Sequence, residues 1–307
     1  MMRWWARTLV LCSTLLVSVA SSLLACAQQM DPRSYSNVPI AQNFLLAGFA
    51  HSQGGVLVDP SLPIDNVSAK IETALVGYVR TLDLWGQSGT IGLVVPYASV
   101  YATGQVGSDS GSVTRAGFGD PALRITANLY GAPALSLEEF PSYKQDLIVG
   151  ASLLVTAPFG QYDSSKIVNV GTNRWTVKPE LGVSQAFGKW TLEGAAGVTF
   201  FTDNDEYLGD KTRSQDPLYA VQGHVIYNFS RRLWAALDAT YYIGGRSSIN
   251  GGDRNDLQQN SRFGATASWL LNSTNSLKFY FSSGANSRAG TDFQTVGIAW
   301  QYRWADR

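Results

Sequence analysis

Near the C-terminus, the stretch DFQTVGIAWQYRW (292–304) separates into two surfaces when read at every second residue. One carries Val296, Ile298, Trp300, Tyr302 and Trp304. The other carries Thr295, Gly297, Ala299, Gln301 and Arg303. A period of two is that of a β-strand with one apolar and one polar face. The same alternation predicts twelve strands, at 43–57, 68–84, 90–102, 119–130, 145–157, 174–187, 189–202, 217–229, 232–243, 259–271, 276–284 and 291–304. Each reaches the roughly 9–11 tilted residues that cross a hydrocarbon layer.

Connections between these strands alternate in length. With the chain starting on the periplasmic side, the segments 58–67, 103–118, 158–173, 203–216, 244–258 and 285–290 lie on the outer side. They are mostly long and rich in Gly, Asp, Ser and Asn. On the inner side GQSG (86–89), GK near 188–189, SRR (230–232) and NSTN (272–275) are short turns, and 131–144 is the exception, expected to form a helical turn or a plug. Long outer loops opposite short inner turns on an even strand count describe an outer-membrane barrel. Aromatics gather at the short turns (Trp85, Phe187, Trp190, Tyr227, Phe229, Trp234, Trp269, Tyr302 and Trp304), where a girdle would sit at headgroup level.

The fold class expected is all-β, a transmembrane antiparallel up-and-down β-barrel of about 12 strands. A soluble sandwich would hide the aromatic face, whereas a barrel turns it to lipid. Mid-strand charges keep to the opposite face, as the roughly 2–4 kcal/mol cost of an Arg or Lys in the lipid midplane requires. That inward set includes Lys70, Glu72, Arg80, Arg124, Lys178, Glu180, Glu193, His224, Asp238, Arg262, Lys278 and Arg303, with Trp234, Tyr242 and Tyr280 as lumenal aromatics. Pro96 and Pro179 interrupt strands of a closed sheet and are expected at bulges. Twelve strands about 4.8 Å apart and tilted near 40° give a backbone radius of roughly 12 Å.

Composition agrees. Charged residues are 15% and aromatics 12%, with 30 Gly and a formal net charge of zero, so no basic footprint points to nucleic acid. Arg3 and Arg7 precede an apolar run ending at Ala25-Cys26-Ala27, a secretory signal peptide over 1–27. Leu23-Leu24-Ala25-Cys26 also has the outline of an acylated lipoprotein box. Both cysteines, Cys12 and Cys26, fall in this segment, so the mature chain has no disulfide framework. Residues 28–42 are expected as an N-terminal periplasmic segment and 43–307 as the barrel, located in the bacterial outer membrane among lipid and lipopolysaccharide after delivery by the assembly machinery.

Several stretches carry a family resemblance: NFLLAGFAHSQGGVLVDPSLP (43–63), VVPY (94–97), GFGDP (117–121), YGAPALSLEEF (130–140), DLIVGASLLVTAPFGQYDSSK (146–166), GTNRWTVKPELG (171–182), FTDND (201–205), QDPLY (215–219), VQGHVIYNF (221–229), LDATYYIGG (237–245), NSRFGAT (260–266) and VGIAWQYRW (296–304). The chain resembles the transporter-labelled bacterial outer-membrane proteins of the MetA-pathway phenol-degradation family. The resemblance implies an outer-membrane barrel linked to aromatic catabolism. One departure from barrel habit is that Ala305, Asp306 and Arg307 follow the last aromatic.

Catalytic readings are thin. A lipid hydrolase needs a Ser–His pair with an orienting third group. His51 and Ser52 are adjacent and so point to opposite faces, while His224 is placed in the lumen. TDNDEYLGD (202–210) offers Asp203, Asp205, Glu206 and Asp210 without the spacing of a calcium loop, and reads as a solvated acidic loop. No enzyme activity, cofactor or metal is expected. The expected function is a passive channel for small organic solutes, aromatic or anionic, lined by Arg124, Lys178, Glu180, Glu193, His224, Asp238, Arg262 and Arg303, with a constriction at Arg124, Arg262 and Arg303 opposite Glu180, Glu193 and Asp238. The alternative is a closed barrel with a structural or interaction role through its outer loops.

Overall fold

The protein is described by a computed structural model over residues 31–57, 65–106 and 109–305. The segment 1–27 expected as a signal peptide, with Cys26, lies outside these residues, as do most of the first outer loop and the last two positions. The strands are β1 (Gln42–Leu57), β2 (Asp65–Leu84), β3 (Gln87–Val106), β4 (Asp109–Phe118), β5 (Ala122–Tyr130), β6 (Leu147–Thr156), β7 (Thr176–Phe187), β8 (Trp190–Phe201), β9 (Asn204–Tyr207), β10 (Lys211–Gln215), β11 (Leu218–Asn228), β12 (Leu233–Gly244), β13 (Ser247–Ile249), β14 (Gly252–Asp253), β15 (Gln258–Leu270), β16 (Asn275–Ser287) and β17 (Gly290–Ala305).

Twelve antiparallel barrel strands follow the chain order, with β4 and β5 forming one interrupted strand. β17 closes the sheet on β1 from Gln42↔Ala305 to Leu57↔Gly290, so the main sheet has no free long edge at its seam. Four short strands, β14-β13-β10-β9, make a second sheet from the loops after β8 and β12. That sheet caps the outer end. One turn of 3-10 helix, Phe140–Ser142, occurs in the long inner connection.

The outward face is apolar and the inward face polar. Leu237 is 69% exposed, whereas Asp238 beside it is 4% exposed, the reverse of a water-soluble sheet. Trp175, Leu181, Val221, Phe263, Phe279 and Val296 share the outward face, and Thr126, Ser184, Gln222, Thr240 and Thr266 are buried inside. At the inner rim the Trp190 and Tyr227 rings meet at 4.6 Å in a tilted arrangement, and Tyr302 stacks with both Trp300 and Trp304. Trp234 leaves this girdle and turns into the lumen.

Three details differ from the alternation reading. The segment 103–118 is mostly strand: β3 and β4 extend as one hairpin to Val106↔Asp109. The interruption between β4 and β5 places Gly119, Asp120 and Pro121 opposite Val95 and Pro96, because Phe118 pairs with Tyr97 and Ala122 with Val94. Three residues against two is a bulge, and it stands where Pro96 lacks an N–H. Pro179 makes no bulge: Val177↔Phe200 and Glu180↔Gly197 keep one register, with pairing omitted between them.

The third difference is the phase of β2. Glu72, Ala74, Val76, Tyr78 and Arg80 face outward, and Val67, Ala69 and Ile71 are buried inside. Lys70, Glu72 and Arg80 are therefore on the outer surface, contrary to the inward placement. Lys70 and Glu72 lie toward the outer end of β2, where Glu72 meets His51, and Arg80 toward its inner end beside Asn43. Long charged side chains can reach polar surroundings from such positions.

Candidate functional site

The expected periplasmic segment enters the barrel instead, over its described part. From Gln42 at the inner end of β1, residues 31–41 run back as a strap across the inner part of the lumen. Thr81 Oγ1 accepts from Gln42 N at 2.8 Å and donates to Pro39 O, tying the root of the strap to β2. Ile40 N donates to Leu135 O and Asn37 Nδ2 to Pro133 O, so the 131–144 connection braces the strap from the inner side. Ala134 N and Ser88 N bond Gly86 O and Ala132 O respectively, fixing that connection to the β2–β3 turn.

Tyr35 anchors the middle. Its ring is 2% exposed and packs with Ala132, Ile148 and Ala195. Gly150 and Gly182, paired across β6 and β7, provide the seat, since a Cβ on either would collide with the ring. Its hydroxyl donates to Glu180 Oε1 at 2.9 Å. Further along, Arg33 adopts a left-handed φ of 70°, donates its backbone N–H to Glu193 Oε2 at 2.6 Å, reaches Asn228 with Nη2, and stacks on Trp234 at 4.9 Å. At the tip, the Asp31 carboxylate meets Lys278 Nζ at 2.8 Å and Arg124 Nη1 at 3.6 Å.

The lumenal charges form separate groups. Lys178 Nζ is 2.8 Å from Glu180 Oε2, and Gln222 Nε2 donates to the same oxygen. His224 Nδ1 is 2.6 Å from Asp238 Oδ1, while Thr266 Oγ1 donates to Asp238 Oδ2 at 2.8 Å. Ser184 Oγ donates to Glu193 Oε1, opposite the Arg33 contact. Arg262 Nη2 donates to Ser282 Oγ and to Phe293 O. Arg303 is at the inner rim, where Nη2 donates to Ser273 O at 2.6 Å. The structure thus places Arg124, Lys178, Glu180, Glu193, His224, Asp238 and Arg262 in the lumen but not as one ring. Arg303 stands apart from them, because its turn supplies a backbone acceptor.

Toward the outer end the lumen changes character. Val67, Ala69, Ile71, Ala98, Val100, Ala102 and Phe293 form an apolar wall, and Val168 and Val170 from the loop after β6 fold in against it. Asp120 in the β4–β5 interruption holds that loop: Oδ1 accepts from Gly160 N, and Oδ2 from Thr172 N and Oγ1. Between the strap and the β3–β5 wall remains a cavity of about 200 Å³, lined by Asp31, Arg33, Ser36, Thr90, Arg124 and Asn128 among others.

The other candidates resolve simply. His51 Nδ1 contacts Glu72 Oε1 at 2.6 Å on the outer face, and Ser52 Oγ bonds Thr295 Oγ1, so the two do not meet. The acidic loop folds into β9 and β10, where Thr212 Oγ1 donates to Asp205 Oδ1. Sequence reasoning missed Asp31, Arg33 and Tyr35. One signal for them lies in the barrel itself: Gly150 and Gly182 leave a bare inward patch on neighbouring strands, where a ring from elsewhere fits.

Comparison with solved structures gives an outer membrane channel from Pseudomonas putida F1, at 19% identity and a TM-score of 0.77, covering 90% of this chain and 100% of that one. The transport unit of the autotransporter AIDA-I from Escherichia coli matches at 6% identity and 0.55, over 92% and 95% of the two chains. The β domain of the Bordetella autotransporter BrkA matches at 11% and 0.50, over 85% and 99%. At these identities the likeness shows the outer-membrane barrel fold. No curated protein sequence matches the chain. The family described as "Putative MetA-pathway of phenol degradation" matches residues 48–302, which is most of the chain, and the protein belongs to that family.

Proposed function

We propose that this barrel is an outer-membrane channel for small organic solutes, closed at rest by its own N-terminal strap. The observation that carries the reading is how the strap is held. Apart from Tyr35 in its glycine seat and Arg33 over the Trp234 ring, its lumenal contacts are ion pairs and hydrogen bonds to strand side chains. Each such contact exchanges with water or solute at modest net cost, typically about 0.5–3 kcal/mol, so the closure is reversible. The strap leaves the barrel's own backbone pairing untouched, because it precedes β1. The family's description, phenol degradation, supports an aromatic solute. No energy-coupling motif is needed for movement down a gradient.

Flux of phenol and benzoate into vesicles tests this. Vesicles holding a variant that lacks residues 31–38 should equilibrate these solutes faster than those holding the full chain. Equal and negligible rates from two folded barrels would contradict the reading. A second reading, an interaction role at the outer surface, is favoured by the β9-β10-β13-β14 sheet, which orders two outer loops into one platform. It would gain from a barrel that stays impermeable without the strap.

A further inference from the structure

Asp31 is a carboxylate supplied by the chain to two lumenal cations, and it shows what those cations are built to hold. Lys278 Nζ lies 2.8 Å from Asp31 Oδ1 and Arg124 Nη1 lies 3.6 Å from Oδ2, so the carboxylate is bridged between β16 and β5. Among the described residues Asp31 is the single carboxylate within 4 Å of either cation. Asp238 does not compete, since both of its oxygens are engaged by His224 and Thr266. Two partly buried cations favour an anion, and when the strap leaves no carboxylate of the described residues remains within 4 Å of either, Asp238 acting on Lys278 only from further off.

Space for a larger anion adjoins this position. The cavity of about 200 Å³ beside Asp31 and Arg124 exceeds the 150 Å³ or so that accepts a benzene ring in an apolar setting. Most of its lining residues are polar, and several polar atoms on them have no partner: Asn128 Oδ1, on a residue 5% exposed, Ser36 Oγ and Arg33 Nε. Asp31 and Arg124 line this space and Lys278 reaches Asp31 from outside it; the three side chains are each between about a fifth and a third exposed, so the ion pairs are not sealed. A solute that reaches the strap tip meets a ring-sized space with Arg124 in its wall.

We infer that Lys278 and Arg124 form a binding site for small organic carboxylates, which Asp31 occupies at rest and which a permeating carboxylate takes over. This deepens the channel reading and rests on it for the route by which the solute arrives. Tethered to the barrel, Asp31 acts as an intramolecular competitor at an effective concentration in the millimolar range. Ligand affinity is reduced by the fraction of sites it fills. Displacing it also removes the tip contacts of the strap, so the solute's own carboxylate loosens the closure.

The test is calorimetric titration of the detergent-refolded full chain with benzoate, with benzamide as the neutral probe. Barrel folding is checked by heat-modifiable electrophoretic mobility. Asp31→Asn and Asp31→Ala, outside the barrel strands, should each tighten benzoate binding by about tenfold or more. Lys278→Met and Arg124→Gln in the Asp31→Ala background should each abolish that gain, and benzamide should not distinguish the variants. Unchanged benzoate affinity on removing Asp31, or equal benzamide binding, would overturn the proposal. Because binding is read in detergent, the two readings fail separately. Benzoate binding in this pattern without vesicle flux refutes the channel and leaves the site; flux without it refutes the site alone.

Discussion

The Asp31 carboxylate lies 2.8 Å from the Lys278 ammonium, across 247 positions of sequence. That contact joins the strap to β16, the second-last strand of the barrel, so a strand near the C-terminus holds the N-terminal strap inside the lumen. The closure is distributed over three points: the Asp31 tip, Arg33 against Glu193 and Trp234, and Tyr35 in its seat.

The Tyr35 seat is the most selective place to perturb. Gly182→Ala puts a methyl group where the ring lies, on a residue that faces the lumen and touches no lipid. We expect the strap to lift, giving frequent channel openings in a planar bilayer, while thermal stability of the barrel stays near that of the parent. Gly194→Ala, whose Cβ has only a backbone oxygen near van der Waals distance, serves as the control and should stay closed.

Acid should release the tip. Burial by itself would raise the carboxyl of Asp31, which precedes the first membrane-crossing strand, but Lys278 and Arg124, with His224 nearby, outweigh it and hold it below its ordinary 3.8. For a depressed carboxyl the stabilisation is fully present above the ordinary value and is lost as pH falls through the lowered one. Open probability should therefore rise below about pH 4. Asp31→Asn should lack this step; a step of equal size in that variant would assign it to another group, such as Glu193.

Lys178 and Glu180 test the buried polar interior. Lys178→Met leaves Glu180 with Tyr35 and Gln222 but no cation. Breaking one side of a buried pair typically costs about 3–5 kcal/mol, so reversible urea unfolding in lipid vesicles should show a loss of that order. The combined Lys178→Met and Glu180→Gln variant should recover part of it.

The lipid face makes the opposite prediction. Leu237, 69% exposed and central on β12, should tolerate Phe but lose about 2–4 kcal/mol as Arg. A soluble sandwich would show little change at so exposed a position.

Much of the barrel was legible because one strand face must meet lipid and the other must not. That rule gave the strand positions to within a few residues and the inward phase of Arg124, Lys178, Glu193, Asp238 and Arg262. It failed on β2, where Ile71 and Ala69 line an apolar lumenal wall and Glu72 and Lys70 face outward, so hydrophobicity no longer separates in from out. It also failed on the hairpin of β3 and β4, whose Gly- and Ser-rich residues above the membrane resemble a loop. The strap was invisible for a different reason. DPRSYSN has no periodicity, and its conformation is set by partners from β5, β6, β7, β8, β11, β12 and β16. A grouping of the lumenal charges into separate pairs was equally hidden, since alternation gives a residue's face but not its neighbour.

The central claim is that the strap closes an otherwise conductive barrel. Single-channel recording in planar bilayers, comparing the full chain with a variant lacking residues 31–38, tests it most directly. The account predicts long silent periods for the full chain and steady conductance steps for the variant, altered by added benzoate. A folded variant as silent as the full chain, or a full chain already as conductive as the variant, would contradict it.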